Sequence, residues 1–178
     1  MIYITYPFVI GLISLLWIGS RILVWKKTGV FSFKREAELI LVYICLIVVA
    51  RFTLFPFSKV DGQVQPLIFD PVRMWNFRIN LLPLVYLTDY EALWEMKINI
   101  IGNTAMFIPI GIVWPCVFRK LDTHKQVIAA GVGFSLFIEI LQLPFFDRVT
   151  DIDDLILNSL GFLIGYGIFL LVKKLKRT

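Results

Sequence analysis

Charged and chemically reactive side chains are scarce in this chain. Asp, Glu, Lys and Arg make up 17% of the 178 residues, and the sequence holds two cysteines and one histidine. Soluble domains carry about 25% charged residues, so the deficit argues against a soluble protein. His124 has no ligand set around it for a metal site. The sequence also has no P-loop and no glycine-rich dinucleotide fingerprint, and Cys45 and Cys116 lie in apolar runs that predict buried thiols rather than a disulfide.

The chain instead contains long hydrophobic stretches. Hydrophobic residues make up 58% of the chain, and the mean hydropathy is +0.81. A membrane-spanning helix needs about 20 mostly apolar residues, and five stretches meet that requirement: residues 3–24, 37–57, 98–118, 126–146 and 154–172. The first lacks the basic start and small-residue cleavage pattern of a signal peptide. We therefore predict an all-α, polytopic transmembrane helix bundle with five spans, forming one domain over residues 1–178.

The basic residues predict how the bundle is oriented. Most of the 18 lysines and arginines follow spans 1, 3 and 5, and five alternating spans place those three segments on one side. Cytoplasmic loops hold the excess of Lys and Arg, so we predict the N-terminus outside and the C-terminus inside. The net charge of +5 is explained in this way. The predicted partner is the lipid bilayer, and a nucleic-acid partner is not needed.

The segment between spans 2 and 3 is more than a linker. Residues 80–87 are apolar but too short to span, which predicts an interfacial or re-entrant piece. Residues 89–97 place Tyr90, Leu93, Trp94 and Lys97 at helical spacing. This pattern predicts a short amphipathic helix on the outer membrane surface.

Polar side chains cluster at the outer ends of spans 2 to 5. Ionisable residues at membrane depth are costly and mark functional sites by default. Residues four or three apart share a helix face, and polar faces in lipid turn inward, so the clustered residues should converge. We predict candidate catalytic roles for Glu139, Asp151 and Asp154. We predict substrate-binding roles for Arg51, Asn99, Asn103, Gln142, Arg148 and Asn158.

Structural roles compete with these functional ones. Amide side chains hold transmembrane helices together, Asp151 has the position of a helix N-cap, and Arg51 with Glu139 could form one ion pair. The acids are hard oxygen ligands, but the sequence has no EF-hand spacing and no His/Cys set. No metal site is predicted, and no cofactor is identified. The oligomeric state is likewise left open.

These polar residues also carry a family resemblance. The chain resembles the VanZ-like family of membrane proteins, named for a teicoplanin-resistance protein, in residues 51–57, 80–83, 99–111, 139–142, 148–154 and 158–161. The resemblance implies a multi-pass protein of the bacterial cytoplasmic membrane. Some members lower susceptibility to teicoplanin-type lipoglycopeptides.

Two hypotheses about function follow. In the first, an outer-leaflet site binds or modifies a lipid head group or a lipid-linked envelope precursor, with Glu139 as a general acid/base and Arg51 and Arg148 holding a phosphate. In the second, the protein is a non-enzymatic envelope accessory protein, and the polar cluster is a structural helix lock. A secondary transporter is disfavoured because the five spans show no inverted repeat.

Overall fold

The computed structural model describes residues 1–56, 59–70, 79–83, 93–146 and 148–176, without the side chains of residues 93–95. Of these described residues 72% are helical, and they include five helices long and apolar enough to cross a membrane. The helices are α1 (Tyr6–Thr28), α2 (Phe33–Val49), α3 (Leu93–Val117), α4 (His124–Gln142) and α5 (Ile152–Leu175), and a π-helical turn (Ala50–Leu54) extends α2. The protein is therefore a multi-pass membrane protein, as its apolar stretches predict.

Helix caps explain where the observed helices depart from the predicted spans. α2 begins at Phe33, where the Ser32 side chain caps it by accepting a hydrogen bond from the Arg35 backbone N–H. α4 begins at His124, behind a reciprocal capping box formed by Thr123 and Gln126. These first turns are polar, so a criterion of apolar length starts both spans too late.

The described residues also form six short strands, which the all-α prediction did not include. They are β1 (Ile2–Ile4), β2 (Lys59–Val60), β3 (Gln63–Val64), β4 (Leu67–Phe69), β5 (Ile79–Asn80) and β6 (Thr150–Asp151). β1 pairs antiparallel with β4, β2 pairs antiparallel with β3, and β5 pairs parallel with β6. The first predicted span thus starts inside a strand, and α1 itself starts at Tyr6.

The described part of the segment between α2 and α3 lies over the turn between α4 and α5. Phe69 forms a β-bridge with Phe145. The Phe146 backbone N–H donates to the Ile68 carbonyl at 2.8 Å. Of the interfacial piece predicted at residues 80–87, Asn80 belongs to β5 and residues 84–87 lie outside the described residues. The predicted amphipathic helix at residues 89–97 is described only from Leu93, where it forms the start of α3.

Glycines allow α3 and α5 to pack backbone against backbone. A methyl group added to Gly161 would overlap the Thr104 carbonyl oxygen, and one added to Gly165 would overlap the Ile108 carbonyl oxygen. From the α3 side, Gly111 lies equally close to the α5 backbone. Small residues permit such approach in membrane helices. The Gly-x-x-x-Gly spacing in span 5 therefore marks the central contact of the bundle.

At the basic end of the bundle, side chains connect the start of α2 and α4 to the end of α3 and α5. The Arg35 guanidinium donates to the Val117 carbonyl at 2.7 Å and pairs with Glu38 at 3.1 Å. His124 Nδ1 and the Tyr166 hydroxyl share a hydrogen bond of 2.7 Å. The single histidine thus has a structural partner, and it lies at the opposite helix ends from Glu139 and Asn158.

Helix α1 is peripheral. It has no buried residue, and three pairs of polar side chains join it to α2. Ser14 and Tyr43 share a hydrogen bond of 2.7 Å between their hydroxyls. Glu36 accepts two hydrogen bonds from the Arg21 guanidinium, at 2.9 and 2.7 Å, and a third from the Trp25 indole at 2.9 Å. Hydrogen bonds to ionised groups are stronger than those between neutral groups, so these bonds help to hold α1 against α2.

The two cysteines have different surroundings. Cys45 is buried in the core, as predicted, and both thiols are free. Cys116 is exposed, so the prediction that both are buried is wrong for Cys116. An apolar stretch in a membrane helix faces lipid as readily as core, and apolarity alone does not distinguish the two.

Candidate functional site

A cavity of about 630 Å³ lies where α2 and α4 end and α3 and α5 begin. Small-molecule pockets usually measure about 300–1,000 Å³. The lining residues come from all four helices and from the turn after α4: Phe52, Thr53, Ile98, Asn99, Gly102, Asn103, Ala105, Met106, Glu139, Gln142, Arg148, Asp154 and Asn158. Seven of the nine predicted site residues are among them. Their spacing on each helix brought them together, and their functional roles stay predictions.

The polarity of the lining changes with depth. Its most exposed members, Phe52 at 40% exposure and Ala105, are apolar. Its most buried members are polar: Asn158 is 1% exposed, Glu139 2% and Gln142 4%. Phe52 and Ala105 lie within candidate membrane spans. The cavity therefore has an apolar mouth between α2 and α3 and a polar floor on α4 and α5.

The π-helical turn at the end of α2 supplies hydrogen-bond acceptors to the cavity wall. A π turn departs from the α-helical pairing of backbone groups and often occurs at functional sites. The Thr53 carbonyl accepts from Gln142 Nε2 at 2.6 Å, and the Leu54 carbonyl accepts from Arg148 Nε at 3.0 Å. These two bonds fix the Gln142 amide and the Arg148 guanidinium against α2.

A chain of three side chains runs across the α3–α5 contact. Asn103 Nδ2 donates to Asn99 Oδ1 at 2.7 Å, one turn earlier on the same helix, and also to Asp154 Oδ1. Both amide hydrogens of Asn103 are therefore used. The chain orients the Asp154 carboxylate and joins the first turns of the two helices.

Glu139 is the most buried acid of the site. Its Oε2 accepts a hydrogen bond of 3.1 Å from the Asp151 backbone N–H. Its own backbone carbonyl accepts from Thr150 Oγ1 at 2.9 Å. The other carboxylate oxygen, Oε1, is buried and has no hydrogen-bond partner among the described residues. Glu139 thus presents one oxygen to the turn before α5 and one oxygen without a protein donor.

The Asp151 side chain does not line the cavity. Its Oδ1 caps α5 by accepting from the Asp153 backbone N–H at 2.9 Å. It also accepts from Asn80 Nδ2 at 3.0 Å. Asp151 thus has the N-cap geometry that competes with a catalytic role, and its catalytic role stays a prediction. Glu139 and Asp154 are the predicted acids that line the cavity.

Arg51 is likewise not among the residues that line the cavity. Its Nη1 donates to the Pro56 carbonyl at 2.9 Å, and its guanidinium lies 5.7 Å from the Tyr6 ring centroid and 5.2 Å from the Phe52 centroid. Arg148 lines the cavity and Arg51 does not, and their joint binding of a phosphate stays a prediction. Arg148 is the one cationic residue among the described lining residues.

Sequence reasoning missed three residues that position the site. Asn80 holds the Asp151 cap, Thr150 holds the Glu139 backbone, and Thr53 accepts from Gln142. Asn80 and Thr150 also lie on the paired strands β5 and β6. All three lie in segments that carry the family resemblance, and Asn80 is also a polar residue at the edge of an apolar run. Thr53 contributes a backbone carbonyl, which its residue type does not indicate.

The donor set of the site does not match a protein-only metal centre. No group of three or more His, Cys, Asp or Glu is placed to hold a metal ion within the residues that the structure describes. The lining instead combines carboxylates and amides with one guanidinium. Such a mixture suits hydrogen bonding to a polar organic group.

Comparison with known proteins decides the family. The VanZ/LLP1 family model matches residues 40–173. The chain belongs to the VanZ/LLP1 family. No curated protein and no solved structure matches the chain. The match runs from the middle of α2 to the last turn of α5 and includes every residue that lines the cavity, whereas β1 and α1 precede it. The family region is therefore the part of the chain that forms the site.

Proposed function

We propose that this VanZ/LLP1 protein binds the polar head group of an envelope lipid, or of a lipid-linked envelope precursor, in the cavity between α2, α3, α4 and α5. The supporting observation is the change from an apolar, exposed mouth to a polar, buried floor. An amphipathic ligand matches this arrangement. Its chains would stay in the bilayer beside Phe52 and Ala105 while its head group enters the cavity.

The proposed site faces the outer leaflet of the cytoplasmic membrane. The cavity lies at the helix ends opposite those joined by Arg35 and His124. The basic residues after α1, α3 and α5 belong to that second end, and such residues favour the cytoplasm. A site on the outer leaflet would also lie on the side of the membrane where a change in lipoglycopeptide susceptibility would arise.

Glu139 and Asp154 are the groups that could act as acid and base on a bound head group. Arg148 would hold a phosphate or carboxylate. The distinguishing variants are Glu139→Gln, Arg148→Ala and Asp154→Asn, with Glu38→Gln as a charge-matched control at the opposite end. We expect the first three to lose the effect on lipoglycopeptide susceptibility at normal membrane yield, and the control to keep it.

A structural lock is the second candidate, and specific contacts favour it. Gln142 and Arg148 hold the end of α2, and Asn103 holds Asp154 across the α3–α5 contact. Hydrogen bonds of this kind contribute about 0.6–2 kcal/mol each in membrane bundles. If the three site variants keep full effect at normal yield, the head-group proposal fails. The accessory-protein reading would then replace it.

A further inference from the structure

Three acceptor oxygens in the cavity wall have no protein donor. They are Glu139 Oε1, Gln142 Oε1 and Asn158 Oδ1, and each is buried without a hydrogen-bond partner among the described residues. All three residues line the same cavity and are at least nine-tenths buried. Buried polar atoms are nearly always satisfied in folded proteins. A ligand that donates hydrogen bonds would satisfy them.

The acceptor character of this floor is fixed by its neighbours. Gln142 must direct Nε2 at the Thr53 carbonyl, which can only accept, so its oxygen is the end left for a ligand. Glu139 Oε2 is taken by the Asp151 backbone N–H, so Oε1 is the end left over. Rotating either side chain would break a hydrogen bond that the structure holds.

The charge of the lining selects a cation. Two carboxylates, Glu139 and Asp154, face one guanidinium, Arg148, among the described lining residues. A phosphate placed against the buried oxygens would meet acceptors and negative charge. A primary ammonium has three N–H donors and a positive charge, and so matches three acceptors of which one is a carboxylate.

We infer that the floor of the cavity binds the primary ammonium of a head group through Glu139, Gln142 and Asn158. This inference rests on the proposed head-group function and narrows its ligand to amine-bearing head groups. The phosphate of such a zwitterion would lie nearer the mouth, beside the less buried Arg148. A quaternary ammonium fits poorly, because it has no N–H donor and is bound by cages of aromatic rings. Phe52 is the one aromatic residue among the described lining residues.

The test is a graded ligand series on the full-length protein in nonionic detergent, read by native mass spectrometry. The probes are short-chain phosphatidylethanolamine, its N-methyl, N,N-dimethyl and N,N,N-trimethyl forms, and phosphatidylglycerol. We expect apparent affinity to fall with each methyl group and to differ about tenfold or more between the ends of the series. Soluble O-phosphoethanolamine, which is the free head group with its phosphate, separates recognition of the head group alone from recognition of a head group carried on a lipid.

Variants test which residues cause the dependence of affinity on amine methylation. Asn158→Leu and Glu139→Gln should flatten the methylation series, whereas Glu38→Gln, which removes the same charge at the other end of the bundle, should leave it steep. The wild-type series needs no variant, so a misfolded variant does not weaken the test. Equal binding along the series, or a preference for phosphatidylglycerol, would overturn the ammonium inference and leave head-group binding standing. If none of these lipids binds, both proposals fail.

Discussion

Substituting alanine for Gly165 tests whether the α3–α5 contact holds the bundle together. The methyl group of Gly165→Ala would overlap the Ile108 carbonyl oxygen, which belongs to a helix backbone and cannot rotate away. The two helices would have to separate. Gly167→Ala is the matched control, since a methyl group at Gly167 meets nothing within 4 Å in the same helix.

The size of the effect follows from the geometry of the contact. Carbon and oxygen atoms in close helix contacts are normally about 3.3–3.6 Å apart, so relieving the overlap requires a displacement on the order of 1 Å. A gap of about 0.5–1 Å forfeits a quarter to a half of each dispersion contact along the interface. We expect the free energy of unfolding to fall by about 1–3 kcal/mol, the usual cost of overpacking. Gly167→Ala should be neutral or stabilising by up to about 1 kcal/mol, because alanine favours the helix.

Reversible unfolding in mixed detergent–SDS micelles, followed by circular dichroism, measures both variants. The Gly165→Ala curve should shift to lower SDS fraction than the wild type, and the Gly167→Ala curve should not. Equal stability of the two variants would refute the conclusion that backbone contact at Gly165 holds α3 and α5 together. A loss of stability in Gly167→Ala would refute the statement that this face is open.

Two further predictions concern contacts of Asp151 and Gln142, and a third concerns the orientation of the chain in the membrane. Asp151→Ala should lower the free energy of unfolding by about 1 kcal/mol while Asp151→Asn stays near wild type, because the side chain acts as a helix N-cap; equal loss in both would require a role for the charge. Gln142→Leu should cost about 1–3 kcal/mol by leaving the Thr53 carbonyl buried without its donor, and an unchanged SDS midpoint would contradict that. In a background without native cysteines, a membrane-impermeant maleimide added to intact cells should label Asp61→Cys and spare Lys176→Cys, and the reverse pattern would overturn both the orientation and the outward-facing site.

The sequence predicted those parts of the fold that depend on the length and composition of apolar stretches. Five apolar stretches of spanning length gave five helices, and polar residues one turn apart, such as Asn99 and Asn103, came to line one cavity. The strands could not be predicted. They are two or three residues long, and β1 and β6 each pair with a strand more than 60 residues away in the chain, so no local pattern carries their register.

The site was less predictable than the helices, because backbone geometry decides two of its features. Arg51 sits in the π turn, where α-helical spacing no longer gives the direction of a side chain, and its guanidinium lies against Tyr6 and Phe52 rather than in the cavity. Asp151 and Asp154 have the same functional group three residues apart. One caps α5 and the other lines the cavity, and only the observed start of the helix distinguishes them.

The pairing of β1 with β4 has a consequence for how the chain assembles. β1 is synthesised before α1 and α2, but its partner at Leu67–Phe69 follows both helices in the chain. β1 therefore cannot pair until both helices have been synthesised. Loop-closure entropy opposes joining ends so far apart in an unfolded chain, and the hairpin removes most of that cost by bringing them together. The β1–β4 pairing should thus form after the α1–α2 hairpin, and it joins β1 to the segment that covers the α4–α5 turn.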